Sequence, residues 1–392
     1  MAAMTALLTM LAPAVQPLAA SDVPAAMAAG AGPPTPLSLD QAPIAVMEDL
    51  GSGRVLYSRE ADRRFLPASL TKLMTVYTAF ELLDEGTLTL NQTLPVRDET
   101  FREWSNKGST MFVARGSRIS VETLLRGIMT VSANDGCIVL AEGAAGSVAG
   151  FTALMNAKAK ALGMDDSHFN TPNGWPDEGR TFTSGRDLAT LARAILTRHP
   201  EKYARYFGIP QFTYSGITQK NRNPILGVVR GADGMKTGFT NEAGYGFVGS
   251  AERDGRRLVM VVAGTDSARA RKAIARDFIA WGFDAWDSQR LFGNRQTVGF
   301  AAVQGGADRQ VPLITSQPVF ATSSHGEAVT PSAAIHYFGP LKAPIVKDQP
   351  VAELLITVDG MPGRAIPLLA GHDVAPANFW QRLRNGLLGL FA

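Results

Sequence analysis

Three short strings carry side chains that together can catalyse acyl transfer. In chain order they are Ser69-Leu70-Thr71-Lys72, Ser132-Ala133-Asn134 and Lys236-Thr237-Gly238. A serine hydroxyl is a weak nucleophile until a base takes its proton, and a lysine can be that base only when burial or a second cation lowers its pKa. Ser69 and Lys72 stand one turn apart, so on a helix they project to the same side. We therefore predict a Ser69–Lys72 nucleophile pair with Lys236 as the second cation.

The second string adds a hydroxyl and an amide. If Ser132 lies in a short loop between helices, it and Asn134 can face one cleft. Ser132 can then relay a proton between Lys72 and a leaving group. The amide of Asn134 can donate to and accept from a substrate amide.

The third string suits the anionic end of a substrate. Lys236 and Thr237 offer a charge and a hydroxyl, which together fit a carboxylate. Gly238 lets a substrate backbone approach closely because it has no Cβ. The backbone N–H groups of Ser69 and Phe239 are the candidate oxyanion donors.

The sequence around these strings predicts the elements that position them, which are helices packed around an antiparallel sheet. Apolar spacing predicts a helix over residues 69–83, and Ser120 can cap a second helix that runs to Met129. We expect further helices over residues 134–142, 150–162, 187–197 and 267–286. Residues 44–57 predict a hairpin, and strands 245–251 and 258–263 are expected to pair with residues 237–240 beside them. The predicted fold class is α/β (α+β).

The chain divides into five predicted segments. Residues 1–20 form an apolar signal peptide, although the first basic residue is Arg54, whereas signal peptides usually begin with positive charge. The remaining segments are an Ala/Gly/Pro-rich linker over residues 21–40, the α/β domain over 41–290, a β-rich domain over 291–375, and an amphipathic helix over 376–392.

The C-terminal segment predicts attachment to a membrane surface. Trp380, Leu383, Leu387 and Phe391 share one helical face, with arginines 382 and 384 toward the other side. A helix over residues 378–392 is about 22 Å long, short of the ~30 Å hydrocarbon core, so we expect it to lie in the interface. The alternative is a terminal helix that docks on the protein or makes a dimer contact.

Composition narrows the function classes. Hydrophobic residues make up 45% of the 392 residues, charged residues 19%, and the net charge is +3, which gives no indication of nucleic-acid binding. Cys137 is the only cysteine, so no internal disulfide can form and a buried structural thiol is expected. The five histidines lack metal-ligand spacing and no phosphate-binding loop of the Walker type occurs. We expect no metal and no cofactor.

The three strings and their flanks resemble the low-molecular-mass penicillin-binding proteins that act as D-alanyl-D-alanine carboxypeptidases. The resemblance is close over residues 40–290. Beyond residue 290, only the order of a β-rich domain and a terminal amphipathic helix resembles the family. The strings that carry it are Pro67-Ala-Ser-Leu-Thr-Lys-Leu-Met-Thr75, Gly108-Ser-Thr-Met-Phe112, Leu124-Leu-Arg-Gly-Ile-Met129, Val131-Ser-Ala-Asn-Asp135, Thr171-Pro-Asn-Gly-Trp175, Gly216-Ile-Thr-Gln-Lys-Asn-Arg-Asn223, Asp233-Gly-Met-Lys-Thr-Gly238, Ala243-Gly-Tyr245 and Trp281-Gly-Phe283.

The resemblance implies a β-lactamase/transpeptidase-like domain and a periplasmic enzyme of cell-wall biogenesis. Its substrate would be peptidoglycan stem peptides ending in D-Ala-D-Ala, with Ser69 acylated by the substrate and by β-lactams. Arg222 and Arg271 match family positions near the substrate carboxylate, with a solvated arginine as the alternative for each. At Phe239 the chain departs from the family, in which a histidine or tyrosine often follows Lys-Thr-Gly.

Two other functions remain open at this stage. A class A-type β-lactamase carries the same three strings but needs a loop glutamate to activate the deacylating water, and Glu178 is the candidate in the corresponding loop. A non-catalytic cell-wall-binding module with a vestigial site is the second alternative, against which the intact strings argue.

Overall fold

The computed structural model describes residues 33–327, 329–358, 361–363 and 365–381. Contacts divide this part of the chain into two units. An α/β unit contains Pro34–Glu48 and Leu56–Phe283, and a β unit contains Asp49–Val55 and the described residues from Asp284 onward. The predicted signal peptide, residues 21–32 of the predicted linker and residues 382–392 of the predicted terminal helix lie outside the described residues.

The α/β unit contains helices and short strands in alternation before its main sheet. Its 3-10 helices are Leu37–Gln41 and Ala68–Thr71. Its α-helices are α1 (Lys72–Asp84), α2 (Asp98–Trp104), α3 (Val121–Val131), α4 (Asn134–Ala145), α5 (Val148–Ala161), α6 (Gly185–Arg198), α7 (Pro200–Tyr206) and α8 (Ala268–Asp284). Its strands are β1 (Ile44–Asp49), β2 (Arg54–Arg59), β3 (Thr93–Pro95), β4 (Arg118–Ser120), β5 (Gln211–Tyr214), β6 (Ile217–Lys220), β7 (Ala232–Thr240), β8 (Gly244–Arg253) and β9 (Arg256–Thr265).

The main sheet has the strand order β2-β1-β9-β8-β7, with helices on both faces. Every residue of β1 is buried, as expected for a strand that is covered on both sides. A Cβ on Gly185 of α6 would lie 3.0 Å from Ile44, and a Cβ on Gly282 of α8 would lie 2.2 Å from the sulfur of Met47. Because successive side chains of a strand point to opposite faces, α6 and α8 cover opposite sides. Strand β7 is left at the edge of the sheet.

Most predicted elements of this unit are present, with two instructive differences. The predicted helix over residues 69–83 begins as the 3-10 helix Ala68–Thr71, and α-helical geometry starts only at Lys72. Ser120 caps α3 as expected, accepting from the backbone N–H of Thr123. The end of the predicted linker is not a linker, because Leu37–Gln41 is helical and Leu39 is fully buried.

The β unit is built from strands that pair antiparallel around their own core, except that β15 pairs parallel with β11. Its strands are β10 (Trp286–Phe292), β11 (Thr297–Gln304), β12 (Gln310–Thr315), β13 (Val319–Ser324), β14 (Ser332–His336), β15 (Leu341–Lys342), β16 (Pro350–Val358), β17 (Met361–Pro362) and β18 (Ile366–Ala370). One sheet runs in the order β14-β16-β18-β12-β11-β15, β17 pairs with β16, and β10 pairs with β13. The core includes Val311, Leu313, Leu354 and Leu368.

The all-β prediction for this region is right in kind, but its details differ. Strand β10 begins at Trp286, so the expected helix over residues 267–286 ends earlier, at Asp284. Residues 343–346, inside the predicted β-rich domain, contribute only an isolated bridge between Ile345 and Val374.

Two further features of the described residues concern membrane spans and metal sites. No single helix among them is long and apolar enough to cross a membrane; helices α4 and α5, bent by 86° at their junction, pass the length and composition test only as a pair. In the same residues, no group of three or more His, Cys, Asp or Glu side chains is arranged to hold a metal ion.

Candidate active site

The Ser69–Lys72 pair lies at the junction between a 3-10 helix and α1. Ser69 is half-buried in the 3-10 turn, and Lys72 is the first residue of α1. The Lys72 Nζ lies 2.8 Å from the Ser69 Oγ. A Cβ on Gly174 would lie 1.7 Å from the carbonyl oxygen of Ala68, and Gly174 has a φ of +72°. Only glycine therefore fits where the loop at residue 174 crosses the nucleophile turn.

Lys72 is fully buried, and two oxygens outside its helix hold its amine. The Nζ donates to the Asn134 Oδ1 at 2.8 Å and to the backbone carbonyl of Asn173 at 2.6 Å. Burial lowers the pKa of Lys72 to about 8, because an ammonium loses its hydration in the interior. Burial, and not Lys236 as predicted, is the main cause of this lowering, and the smaller contribution from a cation comes from Arg222.

A second hydroxyl–amine pair connects the loop after α3 to β7. Ser132 lies between α3 and α4 in the left-handed region, with a φ of 63° and a ψ of 37°. Its Oγ accepts from the Lys236 Nζ at 3.0 Å, and the same amine donates to the carbonyl of Thr237 at 2.9 Å. Burial, followed by the charge of Lys72, holds the pKa of Lys236 well below its usual range. A bound carboxylate would return the proton to this lysine, because an opposite charge favours the ammonium.

Edge strand β7 lies directly against the nucleophile turn. A Cβ on Gly238 would lie 2.8 Å from the carbonyl oxygen of Pro67 and 3.0 Å from the Leu70 side chain. The next residue, Phe239, is 46% exposed, and its ring stacks on Tyr245 at a centroid distance of 4.1 Å. The Phe239 ring thus packs along the sheet, and its backbone remains the candidate oxyanion donor.

The two predicted arginines approach the site from different elements. An NH1 of Arg222 donates to the Ser109 Oγ at 2.6 Å, and Arg222 is exposed. On α8, Arg271 donates to the carbonyl of Gly238 at 3.3 Å and lies over the Tyr245 ring at 5.3 Å. Burial lowers the pKa of Arg271. Arg271 thus contacts Gly238 of the third string, whereas Arg222 contacts Ser109, which lies outside the three strings.

A pocket of about 470 Å³ opens beside the nucleophile turn. Pro67 and Ala68 form one wall, Trp175 and Glu178 a second, and Thr240 at the end of β7 a third. Lys236 lies at the other end of the same strand segment, about 13 Å away at 3.3 Å per residue. The pocket is therefore placed where a peptide chain would continue if its carboxylate lay at Lys236.

Sequence reasoning by spacing missed two backbone groups and one carboxylate in this site. The carbonyls of Asn173 and Lys107 accept from the Lys72 Nζ and the Asn134 Nδ2, respectively. The buried carboxylate of Asp135 accepts from the backbone N–H groups of Met111 and Val113. Every residue type has a backbone carbonyl, so sequence spacing could not identify these two acceptors. A sequence signal lies next to each one, because Gly108 follows Lys107 and Gly174 follows Asn173.

A mixed α/β unit with a buried Ser–Lys pair facing an edge strand defines a serine acyl-transfer enzyme. Two family models match this chain, namely D-alanyl-D-alanine carboxypeptidase over residues 34–267 and the C-terminal domain of penicillin-binding protein 5 over residues 286–376. The chain belongs to the D-alanyl-D-alanine carboxypeptidase family of low-molecular-mass penicillin-binding proteins.

Relatives and solved structures agree with this membership. D-alanyl-D-alanine carboxypeptidase DacA of Escherichia coli is 31% identical over 343 residues, which is 86% of this chain and 85% of that protein. DacF of Bacillus subtilis is 30% identical, over 91% of this chain and 92% of the relative. Penicillin-binding protein 5 of Haemophilus influenzae superposes with a TM-score of 0.69 at 30% identity, covering 88% of this chain and all of that one.

A second solved structure is also similar to part of this chain. Penicillin-binding protein D2 of Listeria monocytogenes, in its ampicillin-bound form, superposes with a TM-score of 0.56 at 31% identity. The match covers 62% of this chain and 98% of that one.

Proposed function

We propose that this protein is a serine carboxypeptidase that removes the terminal D-alanine from peptidoglycan stem peptides ending in D-Ala-D-Ala. The observation that carries the proposal is the fully buried Lys72 amine 2.8 Å from the Ser69 hydroxyl. With a pKa of about 8, about a tenth of this amine is neutral at pH 7 and able to take a proton, and the neutral share grows as the pH rises.

Acylation begins when the Ser69 Oγ attacks the carbonyl carbon of the penultimate D-alanine. The Oγ proton passes to the neutral Lys72 amine as the new C–O bond forms. The backbone N–H groups of Ser69 and Phe239 stabilise the resulting oxyanion, each worth about 3–4 kcal/mol by the usual cost of losing such a donor.

Collapse of this intermediate breaks the peptide C–N bond and leaves an ester on Ser69. The departing nitrogen needs a proton, which Ser132 delivers from the lysines on either side of it, consistent with its 3.0 Å contact to Lys236. The terminal D-alanine then diffuses away. Water attacks the ester carbonyl while Lys72 takes its proton. The new tetrahedral intermediate collapses with cleavage of its bond to the Ser69 Oγ, Lys72 returns the proton to that oxygen, and the shortened peptide leaves.

The carboxylate end of the substrate fits the cationic side of the site. Lys236 and the hydroxyl of Thr237 bind the terminal carboxylate, with Arg222 and Arg271 nearby, and Asn134 bonds to a substrate amide. A β-lactam presents a carboxylate and a reactive carbonyl in the same relative order, so it acylates the same serine. Its ring amide stays attached after ring opening, and this slows attack by water.

A penicillin adduct tests the nucleophile directly. After incubation with penicillin, intact-mass spectrometry should show one adduct on the wild type and on Ser332→Ala, an exposed serine of β14. Ser69→Ala should show none. An adduct of equal yield on Ser69→Ala would overturn the assignment.

The lifetime of that adduct separates the carboxypeptidase from the β-lactamase alternative. A penicilloyl protein that persists for many minutes after removal of free penicillin supports a carboxypeptidase. Loss of the adduct within seconds, abolished by Glu178→Gln, would support the β-lactamase instead. Release of D-alanine from a D-Ala-D-Ala peptide completes the test, because a non-catalytic module would show neither release nor labelling.

The location that fits this substrate is the periplasm, at the outer face of the cytoplasmic membrane. The described start of the C-terminal segment supports this placement, since Phe379 is 72% exposed and Trp380 is 74% exposed. Aromatic side chains that remain exposed beside arginines are typical of helices that lie in a membrane interface.

A further inference from the structure

The two oxygens that hold the Lys72 amine come from residues that exchange no proton in the proposed reaction. One is the Oδ1 of Asn134 and the other is the backbone carbonyl of Asn173. Lys72 has no exposed surface, so its low pKa depends on water staying out, whereas the two acceptors favour the ammonium and act by fixing the direction of the amine. The contacts that hold these two acceptors therefore affect catalysis as well as folding.

The carbonyl of Lys107 fixes the orientation of the Asn134 amide. The Asn134 Nδ2 donates to this carbonyl at 3.0 Å, which leaves the Oδ1 pointing at the Lys72 amine. A flipped amide would place an N–H donor against an amine and an oxygen against a carbonyl, losing both hydrogen bonds. The backbone N–H of Asn134 also donates to the carbonyl of Ser109 at 2.7 Å. The segment around Lys107 thus sets the position of Asn134.

The side chain of the same lysine connects this segment to the one that carries Asn173. The Lys107 Nζ lies 4.4 Å from the centroid of Trp104 and 5.2 Å from that of Trp175. The two indoles contact each other edge-to-face at 5.7 Å. Trp175 is two residues after Asn173, and its backbone N–H donates to the Asn173 Oδ1 at 3.0 Å. One ammonium group therefore contacts indoles from both segments.

Gly108 shows how closely the segments approach. A Cβ at this position would lie 2.8 Å from the Asn134 Nδ2 and 2.9 Å from the Trp175 ring. Its φ of +70° is a backbone conformation that glycine adopts readily. The chain can therefore bring the Lys107 carbonyl to Asn134 while the Lys107 side chain turns toward the two indoles.

We propose that Lys107 is a positioning residue, whose ammonium joins Trp104 to Trp175 and thereby keeps Asn134 and Asn173 on the Lys72 amine. This inference rests on the proposed function, because it assigns a role only if Lys72 is the base. Contacts between a cation and an aromatic ring are individually modest. Here, however, they close the gap between two loops, and water entering that gap would hydrate Lys72.

The test compares Lys107→Met, which keeps the length but removes the charge, with Lys107→Arg, which keeps a cation over the rings. The readout is the second-order rate constant for acylation by a fluorescent penicillin between pH 6 and 10. In Lys107→Met we expect the half-maximal pH to rise by about one unit, which means about tenfold slower acylation at pH 7. Lys107→Arg should restore most of the wild-type profile. Lys160→Met, at an exposed position of α5, should match the wild type.

Removing the Lys107 charge could also raise the pKa of Lys72 through space, so a second variant separates the two causes. Trp175→Leu keeps every ionisable group, including Glu103, which pairs with the Lys107 amine at 3.1 Å. It also keeps the ionisable groups that act on Lys72, which are Cys137 and Asp135 on α4, Arg222, and Lys236 on β7. If the indole contacts position the acceptors, Trp175→Leu also raises the half-maximal pH. An unchanged profile in Trp175→Leu, or in a Lys107→Met protein that melts like the wild type, would overturn the proposal.

The wild-type result shows whether a failed test contradicts the proposed function or only the role of Lys107. A wild-type protein that penicillin does not acylate at Ser69 would contradict the function itself. A wild-type protein that is acylated, together with variants that keep its pH profile, would contradict only the role of Lys107. Thermal unfolding of each variant shows whether a slower rate reflects a lost fold or an altered site.

Discussion

The Lys236 amine donates to the Ser132 hydroxyl at 3.0 Å, although 104 residues separate them along the chain. The same loop places Asn134 two residues later, where its Oδ1 lies 2.8 Å from the Lys72 amine. The loop between α3 and α4 therefore contacts both lysines of the site. This arrangement gives Ser132 a position from which a proton can pass between the nucleophile side and the carboxylate side.

Acylation should depend on pH through Lys72. Burial depresses its pKa to about 8, so the amine is mostly neutral above that pH and increasingly protonated below it. We expect the acylation rate constant to level off above pH 8 and to fall about tenfold per unit well below it. Stopped-flow acylation by a chromogenic cephalosporin between pH 5.5 and 9.5 measures this profile.

A companion variant identifies the group behind that profile. Lys72→Arg keeps the charge but cannot supply a neutral base, so acylation should fall by about 10²–10⁴-fold at every pH. Lys160→Arg, at an exposed position of α5, serves as the matched control. A pH profile that survives in Lys72→Arg with its midpoint unchanged would assign the titration to another group.

Gly238→Ala should separate β7 from the nucleophile turn. The added Cβ would lie 2.8 Å from the Pro67 carbonyl and 3.0 Å from the Leu70 side chain, so strand or turn must shift. A displacement of even 1 Å can cost about 10²-fold in rate, and we expect a loss of about 10–100-fold in kcat/KM. Gly293→Ala, where the nearest atom would be 3.4 Å away, should retain activity. Equal kinetics for both alanine variants would argue against tight packing at Gly238.

Arg271 should contribute to recognition of the substrate carboxylate. Its guanidinium donates to the Gly238 carbonyl at 3.3 Å, in the strand segment that carries Lys236 and Thr237. Because a hydrogen bond to a charged group is worth about 1.5–3 kcal/mol, Arg271→Gln should raise KM for a D-Ala-D-Ala peptide about tenfold or more. KM for the corresponding C-terminal amide should hardly change.

The control for this prediction lies on the same helix. Arg269 is exposed two residues before Arg271 on α8, and Arg269→Gln should leave both KM values as they are. We expect Arg222→Gln to behave like Arg271→Gln. Steady-state kinetics on the acid and amide peptides would contradict a carboxylate role if both substrates lost affinity equally.

Deletion of residues 378–392 should release the protein from membranes. The deletion removes the exposed Phe379 and Trp380 and the predicted apolar face beyond them, so interfacial burial is lost. Acylation by penicillin in solution should remain, because the α/β unit is intact. Flotation with anionic lipid vesicles measures binding, and a truncated protein that still floats with the vesicles would contradict the anchor.

Local sequence was enough to predict most helices and the central strands, because periodicity and capping act over a few residues. Ser120 illustrates this, since its side chain caps the helix that follows it. Packing decided the elements that local signals do not specify. The turn that carries Ser69 lies against Gly174 and against Gly238 of β7, and Leu39 is fully buried.

The sequence by itself determined which groups can do chemistry, since a hydroxyl, two amines and a Lys-Thr-Gly strand are properties of residue type and spacing. Only the tertiary structure decided their chemical state. Burial gives Lys72 a pKa of about 8, and the carbonyls of Asn173 and Lys107 hold its surroundings in place. Residue letters do not encode desolvation or the direction of a carbonyl, because both arise from how remote segments meet.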